Sequence, residues 1–151
     1  MPGLVVASAL PEADVVLLDA STRRTDFLRR AAGRLGLVER VRVVTARAET
    51  AGHDPVWRGA FDAVVARSFG EPAVTAEAAA PFLRAGGQLV VSEPPEPALD
   101  RWPPDGLALL GLIRDATATG AGLASFTQVE PCPARFPRRR LHPPLFHVEP
   151  G

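Results

Sequence analysis

Apolar positions in this 151-residue chain come in short runs separated by glycine, proline and charge. The opening PGLVVASAL reads as a helix, and PEADVVLLD after it as a strand that ends on Asp19. In STRRTDFLRRAAGRLGL, Phe27, Leu28, Ala31, Ala32 and Leu35 recur at helical spacing. That spacing predicts one apolar face, with Arg23, Arg24, Arg30 and Arg34 largely on the other. Ser21 or Thr22 suits its start and Gly36 its end. RVRVVTARAE alternates into a second strand, with Val41, Val43 and Thr45 on one face, and a loop holding Gly52, Pro55 and Gly59 follows. FDAVVARSF predicts a third strand, EPAVTAEAAAPFLRA an alanine-rich helix stopped by Gly86 and Gly87, and GQLVVSEPP a fourth strand cut off by Pro94 and Pro95.

Strand and helix thus alternate four times, and the strands are mostly apolar on both faces, which is the pattern of an α/β domain with a parallel sheet. Beyond Pro94 the chain changes character. The proline-rich stretch at 94–105 reads as a loop or broken helix. LIRDATAT and ASFTQVEP, separated by GAG, predict an antiparallel hairpin. The end, PCPARFPRRRLHPPLFHVEP, is too rich in proline for a helix and reads as an ordered loop or a partly disordered tail.

Composition narrows the function. Acids and bases balance at 17 each, so any attraction to nucleic acid has to be local. No apolar run reaches the ~18 residues that span a bilayer, and no signal peptide is readable, which predicts a cytoplasmic protein without a membrane partner. A single cysteine, Cys132, excludes an intrachain disulfide and a multi-cysteine zinc site. All 17 bases are arginine, so no step can use a lysine amine; the absence of Lys, Asn and Tyr fits a GC-rich genome.

Asp19 lies at the carboxyl end of the first strand, where ligands of open α/β sheets bind, and a carboxylate there can accept both hydroxyls of a ribose. That role is favoured over a helix cap for the segment near Ser21. TARAE (45–49) and VARSFG (65–70) occupy the equivalent ends of the next two strands, which brings Arg47, Glu49 and Arg67 to the same rim. Position alone leaves a polar site and an ordinary solvated face both open. TGAGLAS contains Gly-x-Gly, but a β-rich stretch follows it, so it reads as a hairpin turn and not as a phosphate loop. RFPRRR sets Arg135, Arg138, Arg139 and Arg140 beside Phe136, suited to phosphate and a stacked base, or else to a solubilising end. His53, His142 and His147 show no metal-ligand spacing, and no catalytic triad or other catalytic residue is assigned.

Taken in order, the run PGLVVA, LLDAS, RR, FL, RAE, FDAVVARSF, LRAGGQLVV and FPRR resembles the small-subunit ribosomal RNA guanine-N7 methyltransferases, also called the glucose-inhibited division protein B family. The resemblance runs from Met1 to about Leu145, and the proline-rich tail is similar to actinobacterial members. It implies one domain over 1–151, with a Pro/Arg-rich tail at 131–151. It also implies a class I S-adenosylmethionine-dependent methyltransferase sheet, Rossmann-like and mostly parallel, with a C-terminal antiparallel hairpin. The implied cofactor is S-adenosylmethionine and the implied substrate 16S ribosomal RNA, bound by a monomer. Met1, Gly3, Ala48, Glu49 and Arg67 match cofactor contacts, and Asp19 the acid that holds the cofactor ribose. Arg23, Arg24, Arg138 and Arg139 match basic residues that face RNA.

Two departures carry expectations. Val91-Ser92-Glu93 stands where the family has Leu-Lys-Gly, so an acid replaces a base that faces RNA. The family's Gly-x-Gly-x-Gly loop and first strand would lie upstream of Met1, which occupies a position where the family commonly has leucine. The chain is therefore expected to start at an internal leucine codon read as Met. The sheet should lack its first strand, and the chain as it stands should bind cofactor weakly and show weak activity or none. Two other readings compete: a non-catalytic RNA-binding or interaction domain derived from that family, and, more distantly, a piece of a dinucleotide-dependent oxidoreductase.

Overall fold

The computed structural model describes residues 2–67, 69–95, 101–115 and 122–147. The chain divides into two compact units, Met1–Ala48 and Glu49–Gly151.

In the first unit, helix α1 (Pro2–Ala9) precedes strand β1 (Val15–Asp19), helix α2 (Thr22–Arg34) and strand β2 (Val41–Thr45). β1 and β2 pair in parallel, with Val15 opposite Val41 and Asp19 opposite Thr45. Ala7, Leu17, Leu28, Ala32, Leu37 and Val41 form the core. Gly3 lies over Leu17, and a Cβ at Gly3 would run into that side chain, so glycine lets α1 settle on β1. Arg40 donates to the Ala7 carbonyl, which its own helix leaves open at the end of α1, and to the carbonyls of Leu10 and Ala13 in the connection to β1.

Ser21 caps α2, its hydroxyl accepting from the Arg24 amide, and Gly36 follows the helix at φ +68°. The buried face of α2 differs from the expected one. Thr25, Leu28 and Ala32 are buried, whereas Phe27 is 57% and Leu35 55% exposed. A sheet only two strands wide covers a narrow arc of helix. The residue next to Leu28 is turned about 100° away from it, outside that arc.

The second unit begins with the short helix α3 (Ala48–Ala51, its first residue across the boundary), which takes up the end of the expected strand segment RVRVVTARAE and the start of the loop expected after it. Strand β3 (Phe61–Ala66), helix α4 (Pro72–Ala79), a 3₁₀ turn (Ala80–Phe82) and strand β4 (Leu83–Ser92) follow, then helix α5 (Pro104–Ala108) and strands β5 (Leu112–Arg114) and β6 (Leu123–Gln128). The strand order is β3-β4-β6-β5, with β3 parallel to β4 and β6 antiparallel to both its neighbours. The expected alternation, parallel pairing and closing antiparallel hairpin are all present. Residues 116–121 of the hairpin turn lie outside the described residues.

α4 ends before Gly86. Pro81 has no N–H to continue the ladder, and the chain passes through the 3₁₀ turn directly into β4. Gly86 (φ +79°) and Gly87 instead sit inside β4, where the pairing with β3 shifts register between Phe61 and Ala63. Every residue of α4 is buried, so this helix has no solvent face. Leu83, Leu89, Leu107, Leu110, Leu112, Trp102 and Phe126 dominate the core. Residues 131–147 have no regular structure but are packed: Cys132, Phe136 and Leu141 are buried. Arg58 fastens this segment, donating to the carbonyls of Cys132, Pro133 and Phe136 at 2.7–2.9 Å, and to that of Gly52.

Candidate functional site

In the first unit the parallel register brings the carboxyl ends of β1 and β2 level, and the Ala46 amide donates to the Asp19 carbonyl at 3.1 Å. The Asp19 side chain is 16% exposed. One of its oxygens accepts the Ser21 amide at 2.8 Å and the other the Arg24 Nε–H at 2.7 Å. It therefore fixes the β1–α2 turn, the structural part weighed against the ribose role. By lone-pair count each carboxylate oxygen can accept a second donor, so the group keeps acceptor capacity towards a pair of hydroxyls. Ala48 is buried just beyond β2. Met1 lies outside the described residues. Arg23 is exposed on α2, and Arg24 keeps 64% of its side chain in solvent while bonded to Asp19.

In the second unit Glu49 is half-buried in the first turn of α3, and Arg67 is exposed directly after β3. β3 and β4 run parallel, Ala66 opposite Val91, so Arg67 and Ser92-Glu93 leave the sheet at the same end. Glu93 does not face outwards. Its side chain is 3% exposed, accepts the Trp102 indole N–H at 2.7 Å and pairs with Arg101 at 3.3 Å. The acid that stands near a basic position of the family is thus spent inside the fold.

Arg138 and Arg139 differ in surroundings. Arg138 forks onto Glu77 of α4, with Nε 2.8 Å from Oε1 and Nη2 2.7 Å from Oε2, and its backbone N–H also reaches Oε1. Glu77 is fully buried. The hydrogen bonds to Glu77, and its charge, raise the Arg138 pKa against the lowering by burial. Arg139 and Arg140 are exposed, and the Arg135 guanidinium stands 4.9 Å from the Phe136 ring centre. Burial pushes the Cys132 thiol up to about 11 despite Arg58 beside it, so it is no nucleophile at neutral pH. No cluster of metal-ligating side chains occurs among the described residues, and no described helix is long and apolar enough to cross a membrane.

Glu77, Arg58 and Arg40 escape a reading of the sequence alone. For Glu77 a signal is present: one acid in the otherwise apolar or small PAVTAEAA must be paired if that helix is buried. Nothing local marks the two arginines.

Residues 1–93 match the GidB family model, described as rRNA small subunit methyltransferase G. A ribosomal RNA small subunit methyltransferase G of Prochlorococcus marinus strain NATL1A is 42% identical over 90 residues, 60% of this chain and 36% of that protein. Its counterpart in strain MIT 9313 is 37% identical over 152 aligned positions, 91% of this chain and 59% of that protein. The chain therefore spans less than two-thirds of either relative. Among solved structures, geranyl diphosphate C-methyltransferase from Streptomyces coelicolor A3(2) superposes with a TM-score of 0.61 at 16% identity, covering 83% of this chain and 69% of that one. At that identity the likeness concerns the fold, which is that of the class I methyltransferases. With its family model covering more than half the sequence and a relative above 30% identity along nearly all of it, the chain belongs to the rRNA small subunit methyltransferase G (GidB) family.

Proposed function

We propose that this chain takes part in methyl transfer from S-adenosylmethionine to guanine N7 of 16S ribosomal RNA in the small subunit, acting as a cytoplasmic monomer in which the whole of 1–151 serves the one activity. The observation that carries this is Asp19, an acid at a parallel strand end with acceptor capacity left over after its two internal bonds. Asp19 would accept the ribose hydroxyls, and Met1, Gly3 and Ala48 of the same unit would contact the cofactor beside it; Glu49 and Arg67 are the proposed cofactor contacts of the second unit. The cofactor supplies a methyl group made electrophilic by its sulfonium. Guanine N7 presents a lone pair with no proton to remove, so the protein's part is to orient the base and exclude water, and no general base is required.

Arg23, Arg24, Arg138 and Arg139 are the proposed RNA-facing bases. Arg138, held by Glu77, would act by fixing the segment that presents Arg139. The burial of Glu93 supports this reading, since that acid is then not offered to RNA at the end of β4. The test is incubation of the chain with radiolabelled S-adenosylmethionine and undermethylated small subunits, followed by nucleoside chromatography. Weak labelling of 7-methylguanosine is expected. RNA and cofactor that both bind without any transfer would instead favour the non-catalytic RNA-binding reading.

A further inference from the structure

α2 turns a second, unabsorbed face to solvent. At about 100° per residue, Arg23, Phe27, Arg30 and Arg34 fall within an arc of about 60°, opposite the buried Thr25, Leu28 and Ala32. All four are exposed, Phe27 by 57%. The strip is about 16 Å long. Ser21, Arg23, Arg24, Phe27 and Arg30 line an open groove along it. The other arginines of the helix are committed, Arg24 to Asp19 and Arg29 to Asp26, whereas Arg23, Arg30 and Arg34 form no ion pair with any described residue. A lone exposed phenylalanine is unremarkable on most surfaces. Here it is ringed by guanidinium groups on a chain whose overall charge is zero, so the positive potential is local and surrounds an aromatic face.

We propose that this outward face of α2 docks unpaired RNA, with Phe27 stacking one base while Arg23, Arg30 and Arg34 hold the phosphates on either side. Guanidinium groups reach phosphate oxygens through planar, charge-assisted hydrogen bonds. An aromatic ring among them accepts any base that is not locked in a duplex. A paired helix hides its base faces, so the strip distinguishes unpaired from paired RNA. The inference rests on the RNA reading above and deepens it, by naming the kind of RNA that meets this surface and a residue that sorts it.

The experiment is a fluorescence-anisotropy titration of the full 151-residue chain with a labelled RNA oligonucleotide, single-stranded and annealed to its complement, over a salt series. Wild type should prefer the single strand. Phe27→Leu, which keeps an apolar side chain at this exposed position, should weaken single-strand binding about tenfold with its salt slope unchanged and duplex binding unaffected. Phe27→Trp should restore the affinity. Arg30→Ala with Arg34→Ala should flatten the single-strand slope of log K against log salt by roughly 0.7 for each phosphate no longer neutralised. Phe27→Leu binding the single strand as wild type does, or weakening equally on both RNAs, would overturn the stacking role and leave the RNA reading standing. Wild type binding neither RNA would overturn both.

Discussion

The carboxylate of Asp19 holds one internal donor on each oxygen, so its substitution acts on two levels. Asp19→Ala should weaken S-adenosylmethionine binding by ~1–3 kcal/mol through removal of charge-assisted hydrogen bonds. Arg24→Ala removes only an ion pair whose basic partner is mostly solvated, and should leave cofactor affinity nearly unchanged. Calorimetric titration of both variants separates a ribose-binding acid from a turn-forming one, and an equal drop in the two would assign Asp19 to the turn alone. Arg138→Ala strips the guanidinium from a fully buried carboxylate and should cost about 3 kcal/mol in denaturant melts. Glu77→Gln keeps an acceptor and leaves a partly solvated guanidinium, so it should cost less; the reverse order would show that the pair is not what holds 137–143. The place of Asp19 at the end of β1 is legible in the sequence because the apolar run before it stops there. The Glu77–Arg138 pair is not, because 61 residues separate its partners and only the packing of the last segment on α4 joins them. The Cys132 thiol stays protonated in the fold to about pH 11, whereas an unfolded thiol ionises near 9. The unfolded chain therefore binds fewer protons between those values, so this group's contribution is intact below pH 9 and is lost as pH climbs towards 11. Iodoacetamide at about pH 8 should accordingly label native Cys132 much more slowly than the same chain in urea.

Elements are legible where a local rule decides them and less so where packing does. Ser21 as N-cap and Gly36 past the end bound α2 as capping chemistry requires, and β1 and β2 follow their apolar runs. The apolar face of α2 is narrower than its periodicity, which counts Phe27 and Leu35 without knowing how wide a sheet lies beneath. The end of α4 misleads for a related reason. Gly86-Gly87 looks like a helix stop, but Pro81 has already ended the helix, and the glycines serve the strand that follows. An ideal Cβ at Gly87 would lie 2.9 Å from the Arg84 carbonyl oxygen and 3.0 Å from that of Phe61. These are backbone atoms that cannot swing aside. Gly87→Ala should therefore destabilise the four-stranded sheet by roughly 1–3 kcal/mol. Gly33→Ala, inside α2 with open space around it, should be neutral or stabilising by up to about 1 kcal/mol. Chemical denaturation of the two variants checks the pair, and a harmless Gly87→Ala would mean that β4 can relax its bulge.

Across the chain, chemistry is placed by topology more than by composition. Parallel pairing sets Asp19 level with Thr45 in one unit and, separately, Ala66 level with Val91 in the other, so that the ends of each strand pair follow from its apolar runs. What the sequence alone does not reveal is which polar groups point inwards. Glu77, held by Arg138, and Glu93, held by Trp102 and Arg101, look on paper like any surface acid, and only the packing around them sets them apart. The same separation decides how the molecule should meet RNA. With 17 acids balancing 17 bases, there is no global attraction, so affinity has to come from locally exposed bases. Arg139→Ala with Arg140→Ala, both exposed, should weaken binding of small-subunit RNA while leaving stability and cofactor affinity unchanged. The slope of log K against log salt should fall by roughly 0.7–0.9 for each phosphate these arginines neutralise. Arg138→Ala should instead lower the melting temperature first. Any weakening of RNA binding it brings should be recovered, slope included, when the protein is assayed at a temperature where the variant is fully folded. A slope that drops for Arg138→Ala at full folding, and stays fixed when Arg139 and Arg140 are removed, would reverse the assignment and make the Glu77-bound arginine the RNA contact.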